Sequence, residues 1–418
     1  VEDLLSNWSG TVTYTPAAVA RPSSVPELQE LVAGSRRLRA RGSGHSFNLL
    51  TGTTGTLVSL AGLAGAPELD AAGVRVRVPA GTAYGALARY LEEHGRALPA
   101  MASLPHVDVV GACATGTHGS GDGVGTLSGE VTGVELVTGT GELLSLTEED
   151  PELAGAAVHL GALGVVTAVT LRVGPTYRVR QLVYEGLALE DLAGDLDGVL
   201  GAAYSVSVFT TWASGQGQVW IKARDGQWVG EPPGRWRGAV LADGPRHPVP
   251  GQPAEACTVQ GGLAGAWHER LPHFRLEHTP SSGHEIQSEV FVPRDRAAEA
   301  IGLLQGVGPR IAPALQVSEV RTVAADSPWL SPAAGQDVVA FHFTWHPDAP
   351  AVERALAVLE LALQPLGARP HWGKVTTMAP ELVRSRWPRA GDFAALAERL
   401  DPQGRLRNDL LEAWFPRG

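Results

Sequence analysis

Lysine is nearly missing from this chain. Of its 33 basic residues only Lys222 and Lys374 are lysines, and the rest are arginines. Compositional bias explains such an excess, yet a lysine kept against it invites inspection, because a compact ammonium is not replaced by a planar guanidinium at a specific site. Cysteine is as scarce. Cys113 and Cys257 are too few for a disulfide framework and lack metal-ligand spacing. Positive charge is short overall, with a formal net of -11, which excludes the clustered cations that nucleic acid or an anionic membrane requires. No apolar run approaches the roughly 20 residues of a membrane helix. The opening VEDLLSNWSG has neither the basic nor the apolar part of a signal peptide. The expectation is a cytoplasmic protein, acting as a monomer.

What is present is a chain of 418 residues, 44% hydrophobic, which suffices for a large core and favours two domains over one. In the first 175 residues strand and helix patterns alternate. VTYT (12–15), LVSL (57–60), VRVRV (74–78), EVTGVELV (130–137), ELLSL (142–146) and GVVTAVTLRV (164–173) read as strands. Ser24 and Glu27 around Pro26 form a capping box that opens a helix to about Gly34, and 82–95 is an amphipathic helix closed by its glycine. Pro175 marks a boundary. Beyond it, long alternating strands and helices near 188–199, 294–306 and 349–363 predict a broad antiparallel sheet with helices on one face. The segment 226–284 lacks period and reads as a surface excursion. After Gly373 the chain returns to short helices.

Two loops, RGSGHS (41–46) and ATGTHGSG (114–121), are built from glycine and small polar residues. Consecutive backbone N–H groups in such loops cradle anions, and glycine lets a pyrophosphate approach the main chain, so the pair suggests a dinucleotide. Neither is a Rossmann fingerprint or a P-loop. His45 in the first loop admits three readings: metal ligand, catalytic base, or covalent attachment point flanked by residues too small to shield it. No zinc-type spacing links it to other histidines. In the second half, Glu319 with Arg321 and His342 with Thr344 sit two apart on predicted strands and so share a face. Periodicity alone favours an ordinary solvated face.

At these residues the sequence resembles the vanillyl-alcohol oxidase family. RGSGHSFN and LPHVDVVGACATGTHGSG look like its FAD-binding domain; MASLPH, GALGVVT, SEVRTVAAD, FHFTW and RPHWGK look like its alditol (xylitol) oxidases. The resemblance implies an α+β fold of two domains: an FAD-binding domain of the PCMH type (1–175), an antiparallel-sheet cap or substrate domain (176–372), and a C-terminal segment (373–418) returning to the first. It implies FAD joined covalently to His45, with Ala40, Arg41, Gly42, Ser43, Gly44 and Ser46 at the pyrophosphate. Ser103, Asp108, Gly111, Thr115, Gly116, Thr117 and His118 would form the second FAD contact, with Val166 and His371 beside it. Serine is expected where Asp108 stands, and a carboxylate beside a diphosphate repels it. Cys113 raises a second, thioether link, but a single bond is expected. Ser103, Glu319, Arg321, His342, Thr344 and Lys374 would bind a polyol, with Lys374 at the reacting hydroxyl and its proton, and Arg321 stabilising charge. Dioxygen would be the acceptor, yielding hydrogen peroxide. The rival readings are an aldonolactone oxidase or dehydrogenase, or a non-catalytic carbohydrate binder using the Trp-rich stretch 212–267.

Overall fold

A computed structural model describes residues 4–63, 65–227, 232–277 and 284–417. Near the N-terminus three parallel strands, β1 (Ala18–Ala20), β2 (Leu38–Arg41) and β3 (Thr56–Ser59), lie in the order β1-β3-β2. Helix α1 (Val25–Gly34) starts at the expected cap, where Ser24 Oγ accepts the Glu27 N–H. The Glu27 carboxylate reaches back to the Ser23 N–H at 2.7 Å, one residue earlier than a capping box requires. The strand expected over 12–15 is not formed. Those residues are committed to the N-terminal turn, with Val12 N–H donating to Asn7 Oδ1, Tyr14 N–H to the Leu5 carbonyl and Thr13 in an isolated bridge with Ser6, so the first strand begins at Ala18.

A second, antiparallel sheet contains β4 (Glu68–Leu69), β5 (Arg75–Pro79), β6 (Val131–Val137), β7 (Leu143–Thr147) and β8 (Val165–Arg172) in the order β4-β5-β8-β6-β7. Helix α2 (Tyr84–Glu93) buries Tyr84, Leu87, Ala88 and Leu91, the face its periodicity marks. The glycine-rich stretch after Pro105, which shows no regular period, nevertheless folds one short helix, α3 (Val109–Ala114).

The large sheet holds six long strands: β9 (Arg178–Ala188), β10 (Ser205–Thr210), β11 (Gln216–Arg224), β12 (Ile286–Pro293), β13 (Leu315–Val323) and β14 (Val338–Trp345). They run in the order β9-β11-β10-β13-β14-β12 with every pairing antiparallel, and shorter strands extend both edges. The helix expected over 188–199 is two, α4 (Leu189–Gly194) and α5 (Leu196–Leu200), because Asp195 leaves helical geometry and caps the second by accepting the Gly198 N–H. With α6 (Ala297–Ile311) and α7 (Ala349–Leu363) they cover one face, burying Leu192, Ile301, Leu304, Leu356 and Leu359 against it. Alternation then turns Val320, Phe341 and Phe343 toward the helices and their neighbours toward the opposite side.

The chain ends in α8 (Pro380–Ser385), α9 (Ala390–Leu400) and α10 (Asp409–Trp414). Trp372 is buried against Trp387, Trp414 and Phe415, and its indole N–H donates to the Leu330 carbonyl at 2.7 Å. That anchor fixes the segment carrying His371, Gly373 and Lys374. Among the described residues no helix is long and apolar enough to cross a membrane.

Candidate active site

The loop after β2 turns at Gly44, whose φ of +75° lies in the left-handed region that favours glycine and over which the Arg41 guanidinium packs. Ser43 Oγ accepts the Asp108 N–H at 3.0 Å and lies 2.9 Å from His45 Nδ1. The imidazole stacks on Trp8 with ring centres 5.4 Å apart. Burial, with the charge of nearby His106 and Arg41, pushes its pKa down to about 4. His45 is therefore neutral at pH 7 and keeps a lone pair on nitrogen. Asn48 donates to the Trp372 and Lys374 carbonyls at 2.8 and 3.0 Å, and Phe47 N–H to Gly373, so this loop shares one frame with Lys374.

Asp108 caps α3. Its Oδ1 accepts the Gly111 N–H at 2.9 Å, and burial raises its pKa to about 6. The carboxylate is thus occupied by the helix start, which accounts for an acid at this position. Ala40, Gly42, Ser43, Gly44, His45, Ser46, Ser103, Asp108, Gly111, Thr115, Thr117, His118, Val166 and His371 all line a cavity of about 240 Å³. Two expected contacts do not. The Arg41 guanidinium donates to the Ser6 carbonyl at 2.7 Å and covers Gly44, and Gly116 makes a left-handed turn against Pro332. Cys113 is also off the cavity; its thiol faces the Tyr84 hydroxyl at 3.6 Å, and burial pushes its pKa up to about 12, which gives a thioether link no footing.

The same cavity carries an unmet donor. His159 Nδ1 accepts the Gly161 N–H at 3.0 Å, so the proton is on Nε2, which is buried without a hydrogen-bond partner among the described residues. An enclosed polar atom of this kind costs free energy unless a ligand meets it. Together with the glycine cradle, it fits a polar cofactor such as FAD.

At its other end the cavity meets the large sheet. Strand register places Glu289 beside His342, His342 beside Glu319, Gln287 beside Thr344, and Ser207 beside Arg321. The shared face expected from spacing is formed, and it is enclosed rather than solvated: Glu289 is 1% exposed and Glu319 4%. Lys374 Nζ donates to Glu289 Oε2 at 2.6 Å and to His342 Nδ1 at 2.7 Å, leaving one N–H of three. Arg321 donates to Glu289 Oε1 at 3.1 Å and to Ser103 Oγ at 3.3 Å. His118 Nε2 meets Glu289 Oε1 at 3.1 Å. His342 Nε2 lies 3.3 Å from Thr344 Oγ1.

Burial works to raise the pKa of Glu289, but Lys374 and His118 outweigh it and hold the carboxyl well below the usual range. Glu319 is likewise held low by Arg321 and His273 against its burial. Burial lowers Lys374 below its ordinary value, with Glu289 opposing, and lowers His342 to about 4. Two carboxylates and two basic side chains therefore share one pocket with the imidazoles of His118 and His342.

The FAD binding domain model matches residues 16–147, and the D-arabinono-1,4-lactone oxidase model residues 285–414. An alditol oxidase from Streptomyces sp. is 47% identical over 412 residues, covering 97% of this chain and 98% of its own. The chain belongs to the alditol oxidases of the vanillyl-alcohol oxidase family. It is an FAD-binding oxidoreductase. The L-gulono-1,4-lactone dehydrogenase of Mycobacterium tuberculosis is 30% identical over 97% of both chains, and the L-gulonolactone oxidase of Bos taurus 26% over 98% of this chain and 97% of its own. Among solved structures, cholesterol oxidase from B. sterolicum superposes with a TM-score of 0.80 at 16% identity, over 98% of this chain and 96% of its own, a likeness of fold.

Sequence reasoning missed Glu289, the carboxylate on which Lys374 and Arg321 converge. Its strand reads as plain alternation in HEIQSEVFVP, and only the pairing of Glu289 with His342 reveals it. The surface reading of 226–284 fails at His273 and Phe274, which line the cavity, with His273 bonding Glu319. The Trp-rich stretch offers no stacking platform among the described residues, since Trp212, Trp220 and Trp267 are buried and Trp236 is half-buried; Trp228 lies outside them.

Proposed function

We propose that the protein oxidises the terminal primary alcohol of an alditol such as xylitol or sorbitol to the aldose, with dioxygen reduced to hydrogen peroxide. The observation that carries this reading is the enclosed set of Lys374, Arg321, Glu319 and Thr344 at one end of a cavity whose other end is a glycine cradle. Residues 1–175 and 373–418 hold FAD in this reading, and 176–372 cap it. Ser43, Gly44, Ser46, Thr115 and Thr117 would hold the cofactor, and His45, a neutral imidazole, would attach it covalently. Bound there, FAD would supply the two-electron chemistry that takes hydride from the carbinol carbon and passes it on to dioxygen.

The protein's own task is the hydroxyl proton and the charge. Hydride departs only as that proton leaves, so the site must relieve developing alkoxide. Lys374 is lowered by burial toward its amine form, which can take the proton. The ammonium that results is met by Glu289 at 2.6 Å. Arg321, fixed by Glu289 and Ser103, supplies standing positive charge. Glu319, Thr344 and Ser103 hydrogen-bond the remaining hydroxyls, and an alcohol lacking them leaves buried polar groups unpaired.

The lactone oxidase model over 285–414 makes the aldonolactone reading the one to test against. Peroxide release is measured from the purified yellow protein with xylitol, sorbitol and L-gulono-1,4-lactone. Turnover of the polyols with no turnover of the lactone supports the proposal; the reverse order refutes it.

A further inference from the structure

Behind Glu319 lies a second buried chain that the proposed chemistry does not use. Lys222, on β11, is 1% exposed, and its ammonium donates to the Leu271 carbonyl, the Pro272 carbonyl at 3.3 Å and His273 Nδ1 at 3.1 Å. Three tetrahedral N–H groups meet three acceptors, a match that a planar guanidinium does not offer. In a chain whose other basic residues are nearly all arginine, this is a physical reason for lysine here. With Nδ1 accepting, the His273 proton is on Nε2, which donates to Glu319 Oε1 at 2.8 Å. The reversed tautomer would set N–H against ammonium and a lone pair against carboxylate. Phe209 and Trp220 pack edge-on to the ring, each with centres 5.4 Å away, and hold its plane. Burial pushes His273 down to about 4, so the ring is neutral. Burial also lowers Lys222 to about 7, with Glu319 opposing.

Arg321 Nε approaches the same Glu319 Oε1 at 3.4 Å. Oε2 has no hydrogen bond within the protein among the described residues, and Glu319 lines the cavity. We propose that Lys222 and His273 are positioning residues that hold Glu319 Oε2 as an acceptor for substrate hydroxyls away from the reacting carbon, and so set discrimination between longer and shorter polyols. This rests on the polyol reading above.

The test compares KM and kcat for xylitol, erythritol and glycerol in the FAD-loaded full chain, with flavin content measured for each variant. His273→Phe keeps the ring packing and removes the donor; His273→Gln restores an N–H toward Glu319. For His273→Phe, KM for xylitol is expected to rise about tenfold or more, the effect of a lost hydrogen bond to a charged group. KM for glycerol and kcat for xylitol should change less than about threefold, so the xylitol preference collapses with flavin content unchanged. His273→Gln should recover most of the preference. If His273→Phe does not fold, Lys222→Met carries the same test, with the same direction expected. Equal losses on all three substrates, or an unchanged preference, would overturn the proposal. Wild-type protein that oxidises none of the three refutes the polyol reading itself, and the two failures are told apart by that control.

Discussion

Glu289→Gln is the sharpest test of the proposed proton transfer. The carboxylate sits within about 3 Å of Lys374, Arg321 and His118 and is almost fully buried. At that separation, with an effective dielectric near 20, one charge pair is worth roughly 5 kcal/mol before desolvation. Glutamine keeps the shape and removes the charge. If its oxygen stays on Arg321 and His118, its NH2 faces Lys374, a contact tolerated only when Lys374 is an amine. The pKa of Lys374, already lowered by burial and raised only by Glu289 and Glu319, must then fall further. Activity requires the amine, so it rises with pH through the pKa of Lys374, and the acid limb of kcat/KM for xylitol should move at least about one unit lower in the variant. The proton-bearing ammonium loses its counter-ion, and kcat should drop about 100-fold, equivalent to ~2.7 kcal/mol. Breaking the buried pair should also remove about 3 kcal/mol of stability, seen as a lower melting temperature. Peroxide release followed with a peroxidase-coupled dye from pH 6 to 10 reads both limb and rate. An acid limb and kcat that stay in place would refute the reasoning.

Three further outcomes are expected. Lys374→Met should lose turnover by about 1000-fold or more while retaining FAD by absorbance; wild-type turnover would remove Lys374 from the chemistry. His45→Ala should release its flavin on acid precipitation, and a yellow pellet would place the bond elsewhere. The pKa of His159 is depressed by burial, and by the charge of Arg39, from 6.5 to about 3, so its stabilising contribution is complete above pH 6.5 and is lost as pH falls toward 3. Between pH 7 and pH 5 that single group should cost the native state about 2 kcal/mol, and urea unfolding of His159→Asn should show a shallower loss over the same interval.

Local chemistry was legible in the sequence where it depends on near neighbours. Small residues flanking His45 announced a loop that a cofactor could approach, and the two-residue spacing of Glu319 with Arg321 announced one sheet face. Whether that face was wet or enclosed was not legible, since burial depends on which strand lies alongside and on what closes over the end. Glu289 becomes meaningful only when β12 pairs with β14 and sets it beside His342. His273 comes from a segment without period, and period is the signal by which core is recognised before a structure exists. The same limit explains Asp108: next to an expected diphosphate it looked repulsive, yet as the cap of α3 it spends its charge on a helix start.

The two lysines draw these threads together. A bias that turns basic positions into arginine can be resisted where a guanidinium does not fit; Lys222 is buried, Lys374 is partly so, and both are hydrogen-bonded. Each donates to the Nδ1 of a neutral histidine, Lys222 to His273 and Lys374 to His342, and so fixes the ring to present Nε2–H. One histidine aims at Glu319, the other at Thr344. The tautomer of each ring, and with it the pattern of donors and acceptors shown to a hydroxylated ligand, is thereby set by a lysine amino group that no arginine could replace without moving the segment it ties down.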